Sequence, residues 1–329
     1  MKLAIIGATG MVGRKMLEVL HERTLPYDEL ILVASEKNVG NTIDFEKQEF
    51  IIESIDSAID KKPDIAIFSA GKAISLQYAP KFAEKGCFVI DNSSAWRMDN
   101  NIKLIVPEIN AEIINSNDKI IANPNCSTIQ MVMALWPLHK HYELKRVVVS
   151  TYQSVTGSGN KGLRQLLSER EGIKNNDAYP HQIDLNCLPH GGDFKQNGYT
   201  EEELKLLYET RKIMDICELG VTATVVRVPV KGGHSMSVNA EFVNEPDVSE
   251  VRNILSEFPG ITVKDMPHSN IYPMPLWAEN KDAVFVGRIR KDESCRNAIN
   301  LWIVADNLRK GAATNAVQIA NYLIRSKFV

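Results

Sequence analysis

The chain opens with short, largely apolar runs separated by helical patterns. Leu3–Ile6, Leu30–Ala34, Ile65–Phe68, Phe88–Ile90, Leu104–Val106 and Lys119–Ala122 are such runs. Strands apolar on successive positions are buried on both faces, as in a parallel sheet covered by helices. After the first run, Val12, Met16, Leu17 and Leu20 recur at the spacing of one helix face. This alternation predicts an α/β domain with a doubly wound parallel sheet. From about residue 146 the texture changes to longer β-rich runs, Arg146–Tyr152, Val221–Val230, Ser235–Val243, Ala283–Arg290 and Ile299–Ala305. Helical patterns there are few, chiefly Lys161–Arg170, Glu201–Met214 and Val248–Phe258. An α+β domain around a mostly antiparallel sheet is expected. Gly311–Ile324 is again amphipathic, with Val317, Ala320 and Ile324 on one stripe, and is expected to return to the first domain. The predicted division is residues 1–125 completed by 306–329, and residues 126–305.

Composition narrows the function classes. In 329 residues, 44% hydrophobic and 24% charged positions leave enough apolar surface for a sizeable core and exclude a disordered or fibrous chain. A net charge of −3 gives no global field for nucleic acid or an anionic membrane. No apolar run approaches the ~18 residues that cross a bilayer. The apolar start is short and interrupted by Gly7, which favours a buried strand over a signal peptide. The five cysteines are widely spaced and form no C-x-x-C pair, so neither a disulfide framework nor a structural zinc site is expected. A cytoplasmic enzyme or binding protein is the expectation.

Gly7-Ala8-Thr9-Gly10-Met11-Val12-Gly13 joins the first strand to the first helix. Glycines there let the backbone approach a pyrophosphate, and the helix N-terminus supplies free N–H groups. The second strand ends in Val33-Ala34-Ser35-Glu36-Lys37. NAD sites usually place a carboxylate on the ribose hydroxyls at this point. Ser35 after the strand and Lys37 as a partner for a 2′-phosphate favour NADP over NAD; Glu36 facing the ribose would reverse that. Ser69-Ala70-Gly71 and Asp91-Asn92-Ser93-Ser94 follow other strands, so Ser69, Gly71, Asn92 and Ser93 are expected along the cofactor crevice.

Asn123-Pro124-Asn125-Cys126-Ser127-Thr128 precedes the apolar helical run Ile129–Leu138. Asn125 suits an N-cap, which puts Cys126 in the first helical turn, where the N-terminus stabilises a thiolate. The other four cysteines are expected to be buried and inert. A thiolate nucleophile needs a proton-transfer partner. His139 and His141 lie at the far end of the same helix. His234, in a Gly-rich link between two strands, is a candidate, with His190 and His181 as rivals.

Together these motifs resemble the bacterial aspartate-semialdehyde dehydrogenase family from Met1 to the C-terminal helix. The markers are Gly7–Gly13, Asn92–Arg97, Asn123–Thr128, Tyr152–Gly159, Glu202–Lys205, Arg227–Ser235 and Asp306–Ala313. The resemblance implies an NADP-binding Rossmann domain and a catalytic domain that also forms a homodimer interface. It implies a shared active site and the reversible conversion of L-aspartate 4-semialdehyde and phosphate to L-4-aspartyl phosphate. That product feeds lysine, threonine, methionine and isoleucine synthesis. Cys126 is then the nucleophile, passing through a thiohemiacetal and a thioester, His234 the acid and base, and Gln153 the group orienting substrate. Arg227 grips the substrate carboxylate, Glu202 attends its amino group, and Lys205 and Arg97 hold phosphate, with Asn125 beside them. Ser154, Gly157, Ser158, Gly159 and Asn307 join the cofactor set. Two departures stand out. Thr156 and Ser158 replace the family's frequent Ser and Ala, and Asn41 stands where a lysine is common, thinning the basic loop. A sister N-acetyl-glutamyl-phosphate reductase, or a non-catalytic NADP-binding sensor, are the alternative readings.

Overall fold

The computed structural model describes residues 1–329, which divide into two compact units, Met1–Asn125 with Ala312–Val329, and Cys126–Gly311. Eight strands form the sheet of the first unit: β1 (Lys2–Ile6), β2 (Glu29–Val33), β3 (Thr42–Phe45), β4 (Gln48–Glu53), β5 (Ile65–Phe68), β6 (Phe88–Asp91), β7 (Lys103–Leu104) and β8 (Ile120–Ala122). Their order is β3-β4-β2-β1-β5-β6-β8-β7, reversing direction of growth at β1 as a doubly wound sheet does. Every pairing is parallel except β3 with β4. Alternate residues of β1 serve two cores. Leu3 and Ile5 join the cluster that holds Met16 and Leu20 of the first helix, whereas Ala4 and Ile6 join Phe68 and Phe82 on the other face. The helix Thr314–Arg325 completes the first of these clusters through Ala316, Val317, Ile319, Ala320 and Leu323. Asn315 anchors it by donating to the carbonyl of Ile105 (2.9 Å) and to Asn123 Oδ1 (2.6 Å).

The second unit holds β9 (Leu144–Gln153), β10 (Gly220–Arg227), β11 (His234–Phe242), β12 (Ile261–Val263), β13 (Val284–Lys291) and β14 (Ala298–Ala305), in the order β10-β9-β11-β14-β13-β12. The three central pairings are antiparallel and the two outer ones parallel, so the sheet is mostly antiparallel as the sequence implies. The helix Cys126–Tyr142 is buried on nearly every side, as its run of apolar residues requires. It packs on β9, β11, β13 and β14 and against the helices Glu201–Met214 and Val248–Glu257.

Several expectations are corrected. The hairpin of β3 and β4 and the short β12 are not among the predicted runs, and Val228–Val230 lies beyond the end of β10. Residues 306–311 remain with the second unit because the Asp306 carboxylate accepts from the amides of Asn280 (2.7 Å) and Leu308 (2.8 Å). Among the four cysteines expected to be buried, only Cys87 is; Cys187 and Cys217 are exposed and Cys295 is half-buried. Burial drives the Cys87 thiol well above its ordinary pKa. No helix is long and apolar enough to cross a membrane.

Candidate active site

Three strand ends and one helix start converge in the second unit. Cys126 is the first residue of the helix Cys126–Tyr142, and it is partly exposed. The free N–H groups of a first helical turn carry positive partial charge, which favours a thiolate over a thiol. Gln153, the last residue of β9, is buried and donates through Nε2 to Ser127 Oγ at 2.9 Å. One turn further into the helix, Gln130 donates to the carbonyl of His234 at 3.2 Å. The helix start, the end of β9 and the start of β11 are thereby tied together by two buried amides.

His234 opens β11 and is fully buried. Its Nδ1 lies 3.1 Å from the amide N of Ser154, which donates to it, and 3.0 Å from Ser154 Oγ. Nε2 has no protein partner. Burial first, and then the positive charge of Arg227, push the imidazole from its usual 6.5 to about 3, against a smaller upward pull from the backbone at Gly233. His234 is therefore neutral at neutral pH.

Arg227, the last residue of β10, is also buried; its Nη1 donates to the carbonyl of Ser154 at 2.9 Å while its Nε has no partner. A guanidinium with an unmet buried donor is suited to a carboxylate, which accepts in the plane of its fork. Gly157 leaves the room for this arrangement. A Cβ there would lie 2.6 Å from Arg227 Nη1 and 3.0 Å from His234 Nε2. Glu202 and Lys205 sit in the first turns of the helix Glu201–Met214 and form an ion pair with each other, each side chain partly buried. That helix start is fixed beside β10 by a capping box at Thr200 and Glu203, whose Oε1 also accepts from the amide of Val225 at 2.9 Å.

The first unit contains a separate cleft of about 700 Å³ lined by Gly7, Thr9, Gly10, Ser35, Glu36, Lys37 and Ser69, together with Ile6, Val33, Ala34, Ile55, Ala70, Ile74 and Tyr78. Gly7 has φ +96° and a Cβ there would strike the Ser69 carbonyl at 2.5 Å; at Gly13 a Cβ would strike the Gly7 carbonyl at 2.2 Å. Both glycines are thus required by the tight strand-to-helix turn. Gly10 caps the helix Met11–Arg23 without any side-chain hydrogen bond, so no side chain competes for the N–H groups of Met11 and Val12. This is the cradle that a pyrophosphate fits. Glu36 and Lys37, which follow β2, are both exposed at its rim.

The remaining predicted positions divide between the units. Asn92, Ser93 and Arg97 cluster in the loop after β6: Asn92 donates to the carbonyl of Phe68 (2.9 Å), Ser93 Oγ to Asp91 (2.6 Å), and Arg97 to the carbonyl of Asn92 (2.8 Å). Burial raises the Asp91 carboxyl, with the bonds from Ser93 opposing it. Asn125 closes the first unit and is buried; Gly71, with φ +88°, precedes the helix Lys72–Glu84. In the second unit, Ser154, Gly157 and Asn307 surround His234, Ser158 Oγ accepts from the Tyr179 hydroxyl at 2.9 Å, and Gly159 starts the helix Gly159–Arg170. Ser127 and Gln130 carry no pattern that marks them in the sequence, since hydroxyl and amide residues within a helix are common; Thr156 is marked there only as a departure from the family's frequent Ser.

Residues 2–117 match the family described as the semialdehyde dehydrogenase NAD binding domain, and residues 135–310 the semialdehyde dehydrogenase dimerisation domain. The aspartate-semialdehyde dehydrogenase of Aquifex aeolicus is 50% identical, covering 100% of this chain and 99% of its own length. The chain belongs to the aspartate-semialdehyde dehydrogenase family. Another member, from Bacillus subtilis, is 44% identical over 99% of this chain and 98% of its own. The crystal structure of aspartate semialdehyde dehydrogenase II from Vibrio cholerae complexed with ASA superimposes with a TM-score of 0.95 at 44% identity, covering 98% of each chain. Membership accounts for both units at once: the NAD binding match covers β1–β7, and the dimerisation match covers β9–β14 with His234 and Arg227.

Proposed function

We propose that the protein catalyses the reversible, NADP-dependent interconversion of L-aspartate 4-semialdehyde plus phosphate with L-4-aspartyl phosphate, supplying lysine, threonine, methionine and isoleucine synthesis. The observation that carries this reading is the convergence of Cys126 at a helix start with buried Gln153, His234 and Arg227 in a member of this family. Cys126 sulfur attacks the aldehyde carbon, and the carbonyl π pair moves onto oxygen to give a thiohemiacetal. His234 attends that oxygen through Nε2, the one ring nitrogen without a protein partner. Gln153, held to Ser127, orients the reacting carbon. A nicotinamide cofactor supplies the hydride acceptor that separates the thiohemiacetal from the thioester. Phosphate oxygen then attacks the thioester carbonyl and expels the Cys126 thiolate.

Arg227 takes the substrate α-carboxylate with the buried guanidinium face that Ser154 leaves unmet. The Glu202–Lys205 ion pair opens for ligand, Glu202 turning to the ammonium and Lys205, with Arg97, to phosphate. The cleft at Gly7–Gly13 holds the pyrophosphate on Met11 and Val12, and Ser35 and Lys37 take the ribose 2′-phosphate, leaving Glu36 in solvent. The rest of the proposed cofactor contacts are Thr9, Ser69, Gly71, Asn92 and Ser93 in the first unit and Ser154, Gly157, Ser158, Gly159 and Asn307 in the second. The protein works as a cytoplasmic homodimer through its second unit. There Tyr152 of β9 is exposed, and Tyr272 lines a cleft with Trp302 of β14.

The test is absorbance of NADPH formation with L-aspartate 4-semialdehyde and phosphate, beside parallel reactions with NAD and with N-acetylglutamate semialdehyde. Phosphate-dependent NADPH production with the aspartyl substrate is expected, and its abolition in Cys126→Ser with NADP binding retained. Activity confined to the N-acetylated substrate, or full turnover by the serine variant, would overturn the reading.

A further inference from the structure

Arg227 is backed by a segment to which the proposed reaction gives no part. Residues 178–188 are largely exposed, but Tyr179, Ile183 and Leu188 turn inward and join Val155 and Leu166 in one small apolar cluster. Two side chains of the helix Gly159–Arg170 hold the segment there. Gln165 Oε1 accepts from the amides of Ala178 and Tyr179, both at 2.9 Å. Glu169 Oε2 accepts from the amides of Ile183 (2.9 Å) and Asp184 (2.8 Å). Gln165 Nε2 donates to Glu169 Oε1 at 2.8 Å, so the two holders brace each other. The segment then reaches Arg227 twice. Leu188 and Arg227 exchange backbone hydrogen bonds, each amide donating to the other's carbonyl, at 2.9 and 2.8 Å. The centroid of the Tyr179 ring lies 6.0 Å from Arg227 Cζ, and both residues are buried. A guanidinium at this range is attracted to an aromatic face, more strongly where water is excluded.

The ring is itself held in place. Its hydroxyl donates to Ser158 Oγ at 2.9 Å, and Gly162 leaves the room for it, since a Cβ there would stand 2.9 Å from that hydroxyl. The guanidinium is thus met by the Ser154 carbonyl and by the face of Tyr179, neither of which cancels its charge. A protein carboxylate in the same place would hold the fork equally well and then compete with any carboxylate that arrived. We infer that Tyr179 is a positioning residue for substrate: its ring holds the Arg227 guanidinium for the α-carboxylate without supplying a rival counter-charge. The inference rests on the proposed role of Arg227 in binding that carboxylate. In this role Tyr179 acts on the substrate only through Arg227, so its loss weakens binding of the carboxylate and leaves the chemistry at Cys126 as it was.

The test is steady-state kinetics of the full-length protein on L-aspartate 4-semialdehyde, comparing Tyr179→Leu, Tyr179→Phe, Arg227→Gln and the double variant Tyr179→Leu with Arg227→Gln, each beside a thermal melt. Tyr179→Leu should raise KM about tenfold, the scale of a desolvated cation–π contact, with kcat within about twofold of the parent. Tyr179→Phe keeps the ring and should stay within about twofold of the parent in KM. In the Arg227→Gln background the leucine change should lower kcat/KM by no more than about a further twofold, because two residues that act through one contact are not additive. A fall in kcat with KM unmoved, or additive losses in the double variant, would overturn the inference. A raised KM in Arg227→Gln beside an unchanged one in Tyr179→Leu would overturn it alone. An unchanged KM in Arg227→Gln would instead bring down the carboxylate role of Arg227, and the inference with it. Should the leucine variant fail to fold, Tyr179→Met, whose flexible side chain fills irregular space, carries the same expectations.

Discussion

A single absent methyl group sets the geometry between Arg227 and His234. A Cβ at Gly157 would stand 2.6 Å from Arg227 Nη1, and that guanidinium is held by its bond to the Ser154 carbonyl. Its far end can give way only by straining or breaking that bond. Gly157→Ala should therefore displace the fork rather than unfold the unit. The expected outcome is a rise of about tenfold or more in KM for the semialdehyde, in line with the loss of one charge-assisted bond, with a Tm within a few degrees of the parent. Steady-state kinetics beside a thermal melt check this; an unchanged KM would mean that Arg227 does not meet the substrate. Arg227→Lys should raise KM in the same direction, because a point charge replaces a planar fork. The exposed Cys187 and Cys217 add a practical consequence at this scale. Thiol labelling of Cys126 has to be read as the increment over a Cys126→Ser control.

At the scale of elements, the turn from β1 into the helix Met11–Arg23 is the most constrained join in the first unit. A Cβ at Gly13 would fall 2.2 Å from the Gly7 carbonyl, a backbone atom with nowhere to go. Gly13→Ala has to push the helix outward, and overpacking of this kind costs about 1–3 kcal/mol. The same shift moves the Met11 and Val12 amides off the phosphate position, so NADP affinity should fall at least as far as stability does, read by fluorescence titration and a melt. Wild-type affinity in a destabilised variant would separate the turn from the cofactor. These joins were legible in the chain because glycine spacing and uninterrupted apolar runs mark buried parallel strands directly. The hairpin of β3 and β4 was not, because its short strands mix polar and apolar positions and only Ile43 and Ile52 are buried. The place of Cys126 was legible because Asn125, a residue type suited to an N-cap, precedes an apolar run, and the helix does begin at Cys126. The surroundings of His234 were not, because Ser154 and Asn307 are 153 positions apart and only the meeting of β9, β11 and the end of β14 brings them together. Glu202 and Lys205 could be placed on one helix face by their i, i+3 spacing, but spacing alone does not tell an ion pair from a ligand pair.

For the whole molecule, two properties depend on more than one element. The open face of the second sheet carries Tyr152 and Trp302, whose rings lie 5.4 Å apart, and Tyr272 lines a cleft with Trp302. A homodimer covering this face should fall to monomers in Tyr152→Glu, measured by sedimentation velocity; a variant that stays dimeric would move the interface elsewhere. The second property is stability against acid. His234 has its usual value of 6.5 lowered to about 3 by burial and by Arg227. Between those limits the unfolded chain binds a proton at this ring and the folded chain does not, so stability rises with pH in that window. The contribution is complete above about 6.5 and is lost progressively as pH falls toward 3. Its slope approaches about 1.4 kcal/mol per pH unit. Carboxylates titrate in the same window, so the quantity to measure is the difference between wild type and His234→Gln, which removes the titration and nothing else in that range. Three of the four tryptophans, Trp136, Trp277 and Trp302, lie in the same unit as His234, so tryptophan fluorescence in urea in a Trp96→Phe background reports its unfolding. Between pH 6 and 4 the wild type should lose about 2–3 kcal/mol more than the variant. Parallel curves would mean that His234 protonates freely in the folded chain, against the effect expected of its burial beside Arg227.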